Sequence, residues 1–429
     1  MTRLAIFTTH PIQYQAPWFR ALAVADGLDV EVVFSYVPDA TQQGVGFGTA
    51  FEWDIPLLTG YQYRVLTATL LPRPVPGFAR RWAGGIGRAL DEIRPDVAMV
   101  LGWQEISLVQ ALIACRRGSI PVILRGESNA LRSRPGLVSM LHRKYFAMCD
   151  SFLAIGQANA DLYRAAGVPE SRIVTARYFV DNDRFSDVAR GLTTGRSTIR
   201  GGWSIAEDAV CFAFVGKLEP KKCVMHFLEA LRLARDRGAL IAGLIVGSGA
   251  QLEEARHLVA THSLPVTFAG FLNQSEVPSA YLAADALVLP SNYGETWGLV
   301  VNEAMASGIP AIVSDRVGCA HDLVLDGETG FVIPFGDVEV LARRIEYLAR
   351  NEGKLRSLGK AAKTHVAAAE SLRTTVVARR CNFESCFNLH QGLVCRSIVA
   401  KHPSERLALL GRQIAKLLFQ TVPKVPKVP

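Results

Sequence analysis

The sequence predicts an α/β protein built from two doubly wound, Rossmann-like domains facing a central cleft, and three observations carry that expectation. At 429 residues the chain exceeds what one hydrophobic core usually serves. Short apolar runs rich in branched residues alternate with helical patterns, as βαβ units on a parallel sheet require. The alternation stops at a polar, Gly-rich stretch, RGLTTGRSTIRGGWS, and restarts at AVCFAFVG. This break, near Asp187 to Gly202, sets the expected domains at residues 1–190 and 191–375, followed by a tail over 376–429.

In the first half the strands read RLAIFTT, DVEVVFS, DVAMVL, PVILRG and SFLAIG. Helices fit APWFRALAVA and the stretches around SLVQALIACRRG and LVSMLHRKYFAMC. In the second half the strand AVCFAFVG leads to a helix from His226 to Arg237, the strand LIAGLIVG, a helix across Gln251 to Thr261, and the strand VTFAG. The strand ADALVLPS is closed by Pro290, and the chain turns at Asn292 to Gly294. From about Gly298, the apolar positions Leu299, Val300, Ala304 and Met305 suit a helix that Gly308 and Pro310 end before the strand AIVSD. Ligands of doubly wound sheets bind at the carboxyl ends of the strands, so the cleft between the domains is the expected site. In the tail, SERLALLGRQIAKLLFQ places Leu407, Leu410, Ile414, Leu417 and Leu418 on one face, with Arg406, Arg412 and Lys416 elsewhere. That pattern fits a helix packed on the body or a basic amphipathic membrane contact.

Composition narrows the function classes. A hydrophobic content of 49% with 20% charged residues describes a compact globular protein. The N-terminal apolar run spans five residues, too short for a signal peptide, and nowhere do about 20 apolar residues follow one another. The expectation is a cytoplasmic protein, peripheral at the inner face of the membrane. A net charge of +8 favours anionic small substrates and an anionic membrane surface. Nucleic acid is not expected as a partner, because the arginines are dispersed through residues 64 to 144 without interleaved aromatics. Cys115, Cys149 and Cys211, three of eight cysteines, lie in apolar segments and read as buried free thiols. Cys381, Cys386 and Cys395 with His390 lack a paired CxxC, so no metal site is expected.

The chemistry concentrates in SNYGETWGLVVNEAMASGIPAIVSD, where Glu295 and Glu303 flank a Trp-Gly pair. A strand, loop and helix in this order aim helix N–H groups at the loop, an arrangement that seats phosphate. FVGKLEPKKCV places Gly216, Lys217, Lys221 and Lys222 after a buried strand. Cations there could neutralise a diphosphate, although lysines in an exposed turn are ordinarily only solvated. Gly247 and Gly249 in LIVGSGA could let backbone approach a ligand or simply make a turn. His10, in THPIQYQAP, could bind donor or acceptor or merely shape a turn. Arg125 and Glu127, in PVILRGESN, are cleft candidates or a surface ion pair.

Taken in order from Ile155 to Val332, these segments resemble the family 4 glycosyltransferases of the retaining GT-B fold (glycosyl transferases group 1). IGQANADLYRAAGVPESRIVTARYFVDNDRF, FVGKLEPKK, VGSGAQLEE, the stretch from VTFAG to SDRVGC, and DGETGFVIP carry the match. The resemblance implies a metal-independent, cofactor-free, retaining transfer of a hexose-type sugar from a nucleotide-diphosphate sugar to a polysaccharide or lipid-linked acceptor hydroxyl. It implies that Glu303 holds the ribose hydroxyls and Glu295 the sugar hydroxyls. Lys217 and Lys222 would contact the diphosphate, with backbone amides from Gly298 and Leu299. The sequence departs from the family pattern at Lys217 (usually arginine), at Cys223 and Cys319 (usually glycine), at Trp297 (usually phenylalanine), and at the loop after the first strand, which is not Gly-rich. A GT-B sugar-nucleotide epimerase and an inactive, glycosyltransferase-like scaffold subunit are the alternatives.

Overall fold

A computed structural model describes residues 1–71, 77–182, 184–186 and 195–368 of the chain. Seven parallel strands of the first half are β1 (Thr2–Thr8), β2 (Leu28–Phe34), β3 (Gln62–Val65), β6 (Val97–Val100), β7 (Val122–Leu124), β8 (Ser151–Ala154) and β9 (Ile173–Thr175). They run in the order β3-β2-β1-β6-β7-β8-β9. A separate antiparallel hairpin pairs β4 (Thr67–Leu70) with β5 (Arg81–Gly84). The second half contributes β10 (Val210–Val215), β11 (Ile241–Val246), β12 (Val266–Gly270), β13 (Ala286–Leu289), β14 (Ala311–Ser314) and β15 (Gly330–Ile333). These form a six-stranded parallel sheet ordered β12-β11-β10-β13-β14-β15.

Both sheets follow the doubly wound rule, in which helices cover both faces and central strands become uniformly apolar. Every residue of β6, β8, β11 and β13 is buried. Each sheet has its own core: Phe146, Phe152 and Tyr163 anchor the first, and Phe212, Phe214, Phe227 and Leu231 the second. The strands β3 to β5, not anticipated from the sequence, are short and mostly exposed, so they lack the apolar runs that mark the others.

The chain divides into two compact units, and the division differs from a single cut near residue 190. The first unit holds Met1–Val37 and Leu57–Arg177; the second holds Pro38–Pro56 and Tyr178–Ala367. The residues after Arg177 join the second unit through packing: Phe185 meets Tyr281 ring to ring at 6.0 Å, and Arg184 donates to Gln274 Oε1 at 2.7 Å. The polar stretch read as a break is partly structural. Arg196–Gly202 is a helix, and Arg196 and Arg200 both pair with Asp285, whose carboxylate also accepts from the Cys211 amide at 2.8 Å.

Among the described residues, Cys115, Cys149, Cys211, Cys223 and Cys319 are free and buried. No helix among them is long and apolar enough to cross a membrane, and no group of three His, Cys, Asp or Glu could hold a metal. The cysteine group at residues 381–395 and the amphipathic segment Ser404 to Gln420 lie outside the described residues.

Candidate functional site

Strand order in the second unit reverses between β10 and β13, so the loops leaving these neighbours turn away from each other and open a crevice. The loop after β10 carries Gly216, Lys217 and Lys222, and the loop after β13 carries Ser291 to Gly298. The two loops are tied by the Asn292 amide donating to the Lys221 carbonyl at 2.9 Å. Across this crevice the Lys222 ammonium pairs with Glu295 Oε2, each side chain only 13% exposed. Ser291 Oγ donates to the same oxygen at 3.3 Å. A half-buried ion pair persists only when its remaining valences are met by good geometry or by a further ligand.

Gly298 starts the helix Leu299–Ala306 with φ +100°, and a Cβ there would lie 3.0 Å from Leu289 and Val317 side-chain atoms. Both constraints demand glycine. One turn into that helix, Glu303 is 1% exposed and accepts from Tyr281 Oη at 2.6 Å. The same helix is braced by Asn302, which accepts from Trp297 Nε1 at 2.8 Å and donates to the Tyr178 carbonyl at 3.3 Å. The indole N–H, which phenylalanine lacks, is the reason Trp297 suits this position.

Lys217 faces a different group. Its Nζ donates to the Val45 carbonyl at 2.7 Å and lies 4.6 Å from the centroid of the Phe47 ring. Val45 and Phe47 belong to the strap Pro38–Pro56, which leaves the first half of the chain to join the second unit. The strap is fixed by Phe51 and Phe47 against Phe271, at 4.3 and 5.0 Å, and by Glu52 O accepting from Asn273 Nδ2 at 2.7 Å. Burial, with Lys221 and Lys222 nearby, lowers the Lys217 pKa below its usual value. No periodicity marks the strap; its only signal in the sequence is the cluster Phe47, Phe51 and Trp53 in an otherwise polar, Gly-containing run.

Gly247 and Gly249 serve packing. A Cβ on Gly247 would lie 2.0 Å from the Gly216 carbonyl oxygen, and one on Gly249 would lie 2.7 Å from the Leu218 carbonyl oxygen. The loop after β11 thereby closes on the loop after β10, a packing requirement that glycine meets at both positions. Cys223, where the resembled family has glycine, adopts a left-handed φ of +56°, the conformation that makes glycine the easier residue. Burial pushes the Cys319 thiol well above its ordinary pKa, so it is a neutral packing group.

In the first unit the switch point lies between β1 and β6. His10 follows β1, bonds Thr9 Oγ1 through Nδ1 at 2.9 Å, and packs against Tyr36 with ring centroids 5.2 Å apart. Arg81, on β5, stacks 3.2 Å over Tyr36 and pairs with Glu105 at 3.2 Å. The sequence reading missed Tyr36, Arg81 and Glu105: Tyr36 follows β2 and Glu105 follows β6, the two neighbours of β1, and the hairpin adds Arg81 to them. Burial and the nearby Arg81 charge lower the His10 pKa to about 4, so the ring is neutral near pH 7. Arg125 is buried, 5.0 Å from the Trp18 ring and 3.9 Å from Glu127, so a surface ion pair describes only its partner.

Residues 195–365 match the family described as glycosyl transferases group 1. Residues 195–365 are therefore a glycosyl transferases group 1 domain. The chain is 32% identical over 225 residues to a D-inositol 3-phosphate glycosyltransferase of Nocardia farcinica, covering 49% of each. It is 35% identical over 320 residues to the sulfoquinovosyl transferase SQD2 of Arabidopsis thaliana, covering 71% of this chain and 57% of that one. The chain spans about half the length of the curated relatives it matches. Its fold is that of GT-B structures: HepE of Anabaena, solved with UDP, superposes with a TM-score of 0.67 at 16% identity, over 89% of this chain and 100% of the other. The matched range contains every candidate site residue that the sequence offered in its second half, from Gly216 to Glu303.

Proposed function

We propose that the protein is a retaining, metal-independent glycosyltransferase that moves a sugar from a nucleotide-diphosphate sugar to an acceptor hydroxyl. The observation that carries this reading is the Lys222–Glu295 pair at the β10/β13 switch point, with the buried Glu303 close behind on the group 1 helix. The reading gives Lys222 to phosphate, the neighbouring Glu295 carboxylate to the sugar hydroxyls and Glu303 to the ribose. HepE, solved with UDP and with UDP-glucose, supports a uridine diphosphate sugar as the first donor to try.

In this mechanism the bond between the anomeric carbon and the diphosphate oxygen breaks as the acceptor oxygen bonds the same face of that carbon. A phosphate oxygen takes the acceptor proton. Charge collecting on the diphosphate is met by Lys222, by Lys217, and by the backbone at Gly298 and Leu299, and no carboxylate nucleophile is needed. The acceptor is assigned to the first unit, with His10, Arg125 and Glu127 as its contacts. Polysaccharide and lipid-linked alcohols are its proposed classes, handled by a cytoplasmic protein peripheral at an anionic membrane face. The test is a panel of nucleotide-diphosphate sugars, UDP-glucose first, with and without a cell-lipid extract. Acceptor-dependent release of free nucleotide diphosphate with the anomeric configuration kept is the expected result. Epimerised donor without release, or no turnover of any donor, would reject the proposal.

A further inference from the structure

The strap Pro38–Pro56 is held by the second unit in two places of unequal strength. Its base is anchored at the end of β12, where Phe51 packs 4.3 Å from Phe271 and the Ser275 amide donates to Asp54 Oδ2 at 3.1 Å. Asn273 adds to this anchor by donating to the Glu52 carbonyl at 2.7 Å. The tip, residues 44–49, is a loop closed on itself: the Phe47 and Gly48 amides both donate to the Gly44 carbonyl, at 2.9 and 3.2 Å. The Phe51 amide closes the neck by donating to the Ala40 carbonyl at 3.1 Å, and a Cβ on Gly44 would overlap the Thr49 carbonyl. With its bonds internal, the tip can move as one piece while the base stays docked. Val45, Gly46, Gly48 and Thr49 are exposed, so undocking uncovers little beyond the Phe47 ring.

The tip docks on a cation of the phosphate seat. Val45 gives its carbonyl to Lys217 Nζ, and Phe47 gives its ring face. Gly46, at φ +89°, lies so close that a Cβ there would be 2.8 Å from the ammonium and 3.0 Å from Glu219 Oε1. The cover is neutral, because the sequence has no acidic residue between Asp39 and Glu52. Burial, then Lys221 and Lys222, disfavour the charged form of Lys217 against the attraction of Glu219. An ammonium in that setting gains more from an anion than from a carbonyl dipole. A phosphate oxygen therefore displaces the carbonyl and undocks the tip. The contact of Phe47 with Phe271, at 5.0 Å, is what brings the tip back when the phosphate leaves.

We infer that the strap tip is an autoinhibitory gate on the diphosphate seat of the second unit, shut by its contact with Lys217 and opened by a nucleotide diphosphate that takes the ammonium from Val45. The gate also works in reverse. Once transfer leaves a nucleoside diphosphate in the seat, reclosure of the tip competes with that product for Lys217 and hastens its release. The inference rests on the reading of Lys217 as a diphosphate contact and adds the segment that controls access to it.

The test is fluorine NMR of the full chain with para-fluorophenylalanine incorporated at Phe47 alone. The chain is titrated with UDP, GDP and ADP and with the matching nucleosides, while calorimetry records which of them binds. A nucleoside diphosphate that binds should move the resonance to the position of the solvent-exposed amino acid, and the nucleoside alone should leave it in place. In Gly46→Ala the added Cβ and the left-handed φ both oppose docking. Its resonance should stand at the solvent position before any ligand is added, and the diphosphate should bind several-fold more tightly. Lys217→Met leaves the strap sequence intact and removes the contested ammonium, so the diphosphate should no longer move the resonance, which keeps the gate testable should the Gly46 variant misfold. A diphosphate that binds wild type while the resonance stays, or moves away from the solvent position, would overturn the gate and leave the donor reading standing. Opening by the nucleoside alone would overturn it as well. Binding of none of the three diphosphates would overturn the donor reading, and the gate with it.

Discussion

Lys217 and Val45, far apart in sequence, meet through a 2.7 Å hydrogen bond from ammonium to backbone carbonyl, with the Phe47 ring 4.6 Å from the same nitrogen. The strap that supplies both partners is seated on Phe271, Asn273 and Ser275 at and beyond the end of β12. A cation offered to a diphosphate is thus already engaged by a carbonyl and a ring. Any phosphate that takes this ammonium competes with the strap.

Phe47→Ala removes the ring from that competition. A cation–π contact at a partly exposed site is worth about 0.5–1 kcal/mol, so nucleotide diphosphate should bind roughly two- to fivefold more tightly to the variant. Calorimetric titration with UDP measures it. Weaker binding would mean that the strap presents Lys217 to the phosphate and does not restrain it.

Glu303 is held by Tyr281 at 2.6 Å and is almost wholly buried. Glu303→Ala should weaken nucleotide binding by about 1.5–3 kcal/mol, the range for a hydrogen bond to a charged group. Tyr281→Phe should lower the melting temperature and weaken binding by a smaller step, because the carboxylate remains but one of its donors is gone. If the alanine variant binds UDP with unchanged affinity, Glu303 does not touch the nucleotide.

The Lys222–Glu295 pair predicts non-additive behaviour. Lys222→Ala leaves a half-buried carboxylate without its cation and takes a positive charge from the leaving group, so turnover should fall on the order of 10²-fold or more. Glu295→Gln should suppress transfer while leaving nucleotide affinity largely intact, because the role proposed for it is at the sugar. In stability, the double variant Lys222→Met/Glu295→Gln should exceed Lys222→Ala, since no lone charge is left behind. A Lys222→Ala enzyme with normal turnover would remove this loop from the mechanism.

What the sequence shows of this protein follows from burial. Strands such as β11 and β13, enclosed on both faces, announce themselves as apolar runs, and the motif loops after β10 and β13 follow directly from them. Glu295, Lys222 and Glu303 could therefore be picked out as lying in or just after those loops, while the roles given to them came from the family resemblance. The strap was illegible because its partners, Lys217 and Phe271, lie in another part of the chain, and no local period encodes such a pairing. Arg81 was hidden for the same reason: β4 and β5 are short, exposed strands, and only their pairing carries the guanidinium to Tyr36 and Glu105. Gly247 and Gly249 left two readings open in the sequence, and the close approach of two loops supplies a packing reason for both glycines.

His10 gives a pH dependence with a definite sign. Its pKa falls from 6.5 to about 4 in the folded protein through burial and then through Arg81. The unfolded chain therefore binds a proton that the native state refuses. The contribution of neutral His10 is fully present above pH 6.5 and is lost progressively as pH falls toward about 4, by up to roughly 3 kcal/mol. Glu105 acts in the opposite sense, because burial raises its pKa, so its share of stability is present below 4.5 and lost as pH rises through the folded value. Wild-type stability alone mixes the two slopes. The difference between wild type and His10→Gln, from urea unfolding at a series of pH values from 4 to 7, isolates the histidine. That difference should grow in favour of wild type as pH rises across the window, and a flat difference would show that His10 titrates alike in the folded and unfolded chain.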